Sequence, residues 1–205
     1  MPFGSNNDRM FQVRIHGRGG QGVVTGAEML SIAAFEQGRH AQAFPSFGSE
    51  RTGAPVVAFC RIAEREIRLR EPVMAPDALI VQDPTLLHQV DLFQGLQPEG
   101  YVLINSARGF DELGVGEFAR RFRRERLLNV PASEIAKTHL GRPLPNAALL
   151  GGFAAISGLI TLEAVAKAIR DKFSGAVAEA NVAAATEAFE YVQRELKELA
   201  HAQAD

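Results

Sequence analysis

Phe11-Gln12-Val13-Arg14-Ile15-His16-Gly17-Arg18-Gly19-Gly20-Gln21-Gly22, followed by Val23 to Gln37, is the stretch on which the fold turns. It reads as a short strand, a glycine-packed turn, and a helix with Val23, Ala27, Leu30 and Ala34 on one face. Gly17, Gly19 and Gly22 follow the spacing G-x-G-x-x-G between a strand and a helix, where that spacing has a mechanism. Glycines there permit a tight turn and let the backbone approach an anion resting on free N–H groups at the helix start. The helix dipole adds roughly 0.3–1 kcal/mol to such a contact. Arg18 adds a full charge. The turn is a candidate phosphate cradle; a glycine-rich connector with no ligand is the plainer reading of the same residues.

A dinucleotide site of the usual kind has an acid about 20 residues further on, at the end of the second strand, to hold the ribose hydroxyls. The second strand is expected near His40-Ala41-Gln42-Ala43-Phe44, which has no acid. Glu36 falls on the helix and Glu50 in a loop beyond Pro45. The pattern therefore argues against NAD in the cradle.

A chain of 205 residues, 46% of them apolar, can bury one good core. Lys and Arg number 22 against 24 for Asp and Glu, a balance that disfavours a general nucleic-acid binder. The single cysteine, Cys60, excludes an internal disulfide framework and any four-cysteine zinc or iron–sulfur site; it suits a reducing cytoplasm. Residues 1–10 read as a short flexible lead and not as a signal peptide. Pro143 to Leu162 holds no charge, but its prolines, glycines and Asn146 favour a helix buried in protein over a membrane span.

Phe44 to Pro55, with prolines framing glycines, predicts a structured loop. Its mixture of Phe44 and Phe47 with Glu50 and Arg51 suits either the lining of a site or a surface loop pinned by aromatics. Val56 to Ile62 and Glu66 to Arg70 predict a β-hairpin. Asp77 to Val81, Tyr101 to Ile104 and Leu127 to Val130 predict buried strands. A helix is expected from Pro84 through Phe93, and another from Pro131 to Gly141. Strands alternating with helices give an α/β fold, Rossmann-like, with a mostly parallel sheet and helices on both faces. The first strand fits less well, because Gln12, Arg14 and His16 give it a polar face that a partner would have to cover unless the strand is less central.

Arg120 to Arg126 holds five arginines in seven residues, either an anion-binding run or a solvated helix face. Thr161 caps a helix from Leu162 to Phe173, and Ser174-Gly175 break it. A long C-terminal helix then carries Val182, Ala185, Phe189, Val192, Leu196 and Leu199 as a seam for its own domain or another subunit. The chain thus divides into a domain over residues 11–173 and a C-terminal helical segment over 174–205. No catalytic set or metal-ligand spacing stands out, and His16 at the end of the first strand reads as structural.

Four ordered motifs carry a resemblance. His16-Gly17-Arg18-Gly19-Gly20-Gln21-Gly22 and Phe44-Pro45-Ser46-Phe47-Gly48-Ser49-Glu50-Arg51-Thr52-Gly53-Ala54-Pro55 are joined by two more. These are Val130-Pro131-Ala132-Ser133-Glu134-Ile135-Ala136 and Gly141-Arg142-Pro143-Leu144-Pro145-Asn146-Ala147-Ala148-Leu149-Leu150-Gly151. Together they resemble the gamma subunit of 2-oxoacid:ferredoxin oxidoreductases, over about Phe11 to Phe173. The second motif is similar to the pyruvate branch, with Thr52 departing from it.

The resemblance implies a multi-subunit enzyme that oxidatively decarboxylates a 2-oxoacid and passes the acyl group to coenzyme A. It implies thiamine diphosphate, Mg and 4Fe-4S clusters on alpha, beta and delta-type partner subunits, with ferredoxin or a similar protein as electron acceptor. It gives this chain a share in coenzyme A binding. Gly17, Arg18, Gly19, Gly20, Gln21 and Gly22 would hold the pyrophosphate, Arg51 would add charge, and Ser46, Thr52 and Asn146 would add hydrogen bonds. A stand-alone NAD(P) or flavin oxidoreductase and a purely structural assembly subunit are the alternatives.

Overall fold

The computed structural model of the chain describes residues 9–46 and 52–202. Six strands form one mixed sheet in the order β2-β3-β1-β4-β5-β6. β1 (Phe11–Arg18), β4 (Ala78–Val81), β5 (Tyr101–Asn105) and β6 (Leu127–Val130) run parallel, while β3 (Pro55–Ala63) lies antiparallel between β1 and β2 (His40–Pro45). The α/β reading with a mostly parallel sheet is borne out. β4 and β5 are continuous apolar runs because both of their faces are covered.

The expected hairpin has a different partner. β3 pairs on both sides, Phe11 opposite Ile62 on β1 and His40 opposite Ala63 on β2. With both edges taken, nothing remains for residues 66–70, which are irregular and largely exposed. The hairpin that forms is β2–β3. β2 covers the expected His40 to Phe44 and runs one residue further, to Pro45; the Phe44 ring lies 5.2 Å from that of Phe59.

The two faces of the sheet are unlike. On one, α1 (Val23–Glu36), α3 (Ala132–Leu140), α4 (Asn146–Ser157), α5 (Leu162–Lys172) and α6 (Gly175–Ala202) enclose a core that includes Val13, Ile15, Ile80, Leu103 and Val130. On the other, a 3₁₀ turn (Pro84–His88), the short α2 (Gly116–Ala119) and irregular chain cover Leu79, Val81, Val102 and Ile104. The helix expected through Phe93 is only that turn. Leu86 and Leu92 are both buried on the sheet, and an α-helix would point residues six apart in different directions.

β1 is central, and its polar face is covered by the chain itself. Arg14 donates to the carbonyls of Leu92 and Gln94 at 2.7 and 2.8 Å, and Arg61 donates to the Gln12 side chain at 3.0 Å. These carbonyl and amide acceptors explain how two arginines are buried on that face with no carboxylate in ion-pair contact among the described residues.

The uncharged stretch 143–162 supplies α4, buried along nearly its whole length. α6 folds back on it. A Cβ on Gly151 would sit 1.9 Å from the Ala185 carbonyl oxygen, so that crossing requires glycine. The deepest residues of α6 are Ala178, Asn181, Ala184, Ala185, Ala188 and Val192, with Val182, Phe189, Leu196 and Leu199 packed beside them. The seam is therefore centred on small residues, slightly round the helix from the expected line. Thr161 caps α5 by accepting from the Ala164 N–H at 3.2 Å. Among the described residues, no helix is long and apolar enough to cross a membrane.

Candidate functional site

The glycine turn lies at the carboxyl end of β1, beside the end of β4. From β1 the chain crosses to β2 on one side of the sheet, and from β4 it crosses to β5 on the other. Strand ends that diverge in this way leave a crevice, the usual ligand position of open α/β sheets. Gly17 lets three elements meet there: a Cβ would fall 2.6 Å from Val23 Cγ2 and 3.1 Å from Gln82 Cβ. Gly20 and Gly22 have φ of 90° and 70°, in the left-handed region that favours glycine.

Gly22 is the N-cap of α1, and no side chain caps that helix. Among the described residues, the amides of Gly20, Gly22 and Val23 meet no acceptor. The first turn also holds no acid. An open helix start of this kind favours an anion by dipole and by hydrogen bond. Asn146, at the start of α4, donates to the Gly22 carbonyl at 3.3 Å, and a Cβ on Gly22 would lie 2.5 Å from that side-chain nitrogen.

Arg18 is less available than its charge suggests. Its guanidinium donates to the Gly53 carbonyl at 3.1 Å and to the Thr85 and Gln89 side chains at 2.9 Å each, and pairs with Asp83 at 3.2 Å. Gln21 accepts from the Arg18 N–H and donates to Asp83, both at 2.8 Å. Burial pushes the Asp83 carboxyl up, but hydrogen bonds from Thr85 and Gln21 and the charge of Arg18 outweigh it, leaving the group below its ordinary value. The pair fixes the turn and largely cancels its own charge.

Thr52 bridges to Gly19 as in a short parallel ladder, with Gly53 N–H on the Gly19 carbonyl at 3.1 Å and Gly19 N–H on the Ala54 carbonyl at 2.9 Å. The structure thus brings Gly17 to Gly22, Thr52 and Asn146 together. Ser46 is exposed at the same end of the sheet but two strands away, donating its N–H to the Val57 carbonyl. Arg51 lies outside the described residues.

Asp83, Thr85 and Gln89 belong to the site but fall outside the usual dinucleotide pattern, because its acid is expected after β2 and this one follows β4. The parallel neighbour of β1 is β4, and the apolar run Leu79-Ile80-Val81 leading into Asp83-Pro84 was the available signal. His16 is 5% exposed, and its Nε2 has no partner among the described residues. Burial, then the charge of Arg14, pushes its pKa down to about 3, so it is neutral at ordinary pH. Among the described residues, no group of three or more His, Cys, Asp or Glu could hold a metal ion.

The family model for pyruvate ferredoxin/flavodoxin oxidoreductase matches residues 12–191. The chain belongs to that family. The common gamma subunit of the pyruvate/ketoisovalerate oxidoreductases of Pyrococcus abyssi is 47% identical over 184 residues, 90% of this chain and 98% of its own length. Pyruvate oxidoreductase subunit PORC of Thermotoga maritima has a TM-score of 0.74 at 34% identity, covering 89% of this chain and 96% of that one. The 2-oxoglutarate:ferredoxin oxidoreductase of Magnetococcus marinus, solved with 2-oxoglutarate, coenzyme A and succinyl-CoA bound, shares the fold at a TM-score of 0.63 and 18% identity. That match covers 93% of this chain and 31% of the larger one. The gamma-type resemblance carried by the four motifs is borne out, and the glycine turn is a feature of an oxidoreductase subunit of the pyruvate ferredoxin/flavodoxin oxidoreductase family.

Proposed function

We propose that this chain is the gamma subunit of a multi-subunit 2-oxoacid:ferredoxin oxidoreductase, with pyruvate the favoured 2-oxoacid, and that its glycine turn holds the pyrophosphate of coenzyme A. The observation that carries the reading is the uncapped start of α1 in the β1–β4 crevice of a chain from this family. The amides of Gly20, Gly22 and Val23, which meet no acceptor among the described residues, supply hydrogen bonds without a side-chain cation. Thr52 and Asn146 add neutral groups beside them. Arg18, held by Asp83, keeps the turn in shape and contributes little net charge.

Coenzyme A supplies the thiol that receives the acyl group. This chain's part is positional: anchoring the carrier raises the effective concentration of its thiol near the acyl-bearing centre. That centre, with thiamine diphosphate and Mg, belongs to the alpha and beta partners. The 4Fe-4S clusters belong to a delta-type partner that passes electrons to ferredoxin or a similar acceptor.

A Thr25→Asp substitution in the assembled enzyme tests the anchor. An acid in the first turn favours the helix by roughly 0.3–1 kcal/mol, yet it repels a phosphate at the same place. The expected result is a KM for coenzyme A raised about tenfold, equivalent to about 1.4 kcal/mol, with KM for pyruvate and the Tm of the chain not lowered. An unchanged KM for coenzyme A overturns the reading. The Arg18–Asp83 pair also suits a purely structural turn, for which Arg18→Ala would lower Tm and leave coenzyme A saturation as it was.

A further inference from the structure

β6 is an edge strand, and a groove of about 510 Å³ lies against it, lined by Leu127, Leu128 and Asn129 of β6 and by Tyr191 and Glu195 of α6. The Ser106 N–H donates to the Val130 carbonyl at 2.9 Å, so Val130 and, by alternation, Leu128 direct their main-chain groups to β5. Leu127 and Asn129 therefore direct theirs outward. The Leu127 N–H is taken by the Arg124 carbonyl. The Asn129 N–H and the carbonyls of Leu127 and Asn129 remain open among the described residues. Such an edge is a template for another strand.

The groove is also positive. Arg108, Arg120 and Arg124 line it against two carboxylates, Asp111 and Glu195. Arg120 is paired with Asp111 at 3.3 Å. The guanidinium groups of Arg108 and Arg124 meet no acceptor among the described residues and are exposed. Part of the arginine-rich run therefore faces a binding groove, while Arg123 and Arg126 are occupied by Glu99 on the other side.

We infer that an extended, acidic segment of another subunit docks in this groove, adding a short strand to β6 and placing its carboxylates on Arg108 and Arg124. Main-chain hydrogen bonds to the edge set the register, and the two arginines select for charge. The inference rests on the assembly proposed above, and the unaltered chain serves to separate the two: if it co-purifies with no other subunit, the assembly itself has failed.

The test is an Arg108→Glu/Arg124→Glu double variant, with Arg121→Glu as a charge control at an exposed arginine outside the groove. The double variant should hold the other subunits at least tenfold more weakly, with the control unchanged. Asn129→Pro, which beyond the side-chain loss it shares with Asn129→Ala removes an outward-facing main-chain donor from the edge, should weaken assembly more than Asn129→Ala. Hydrogen–deuterium exchange should slow at residues 127–130 on going from the full-length chain alone to the assembled enzyme. Normal assembly by the double variant, or equal exchange in the two states, overturns the inference. A homodimer of this chain that the same charge reversal dissolves also overturns it, because the occupant would then be a second copy.

Discussion

His16 sits at the mouth of the glycine turn with a pKa of about 3, against about 6.5 for an unfolded histidine. The folded state therefore resists protonation that the unfolded chain accepts. The associated stability is complete above pH 6.5 and declines as pH falls toward 3, by about 1.4 kcal/mol per pH unit. Between pH 6.5 and 5 this one group is expected to cost about 2 kcal/mol. His16→Asn should flatten that part of the profile, as urea unfolding of both chains across the range would measure. Gly17→Ala tests the neighbouring contact. A methyl 2.6 Å from Val23 Cγ2 should lower unfolding free energy by about 1–3 kcal/mol, seen as a lower urea midpoint at unchanged slope. At this scale the sequence was informative about backbone requirements and poor about charge. The glycine spacing marked the turn, but the partner that neutralises Arg18 lies 65 positions later, just past a strand whose place in the sheet no local pattern encodes.

Among the elements, α4 and α6 meet at Gly151, where no Cβ fits. Gly151→Ala would drive a methyl into the Ala185 main chain at 1.9 Å, and a backbone cannot rotate away as a side chain can. A loss of about 3 kcal/mol, the upper end for overpacking, is expected from denaturant titration. Strands and helices were legible where apolar runs had clear ends, as for β4, β5, α3 and α5. Pairing was not. Val56 to Ile62 announces a strand, yet nothing in its alternation says that both edges are used, and the nearest following segment only looks like its mate. The polar side of β1 misled for a related reason. Arg14 is buried on carbonyls contributed from residues 92 and 94, acceptors that carry no mark in the amino-acid code.

For the whole molecule, the sheet has a thick side of five helices and a thin side of short turns. α6 lies over α4, which has no polar side to offer solvent. Removing residues 175–205 should therefore leave a chain without a cooperative thermal transition, which calorimetry would check; retention of a sharp transition would mean that α6 is an accessory. The α/β architecture followed from the alternation of elements, whereas the inequality of the two sides depended on which helices were long enough to form. The position of β3 has one more effect. Because β2 points the same way as β1 and β3 returns between them, Ser46 lies on the same rim of the sheet as the glycine turn and is tied to Val57, while Thr52 is bridged to Gly19 itself. That rim is therefore held by main-chain bonds that do not depend on side-chain identity, so natural drift can rewrite its side chains while the six-stranded frame stays as it is.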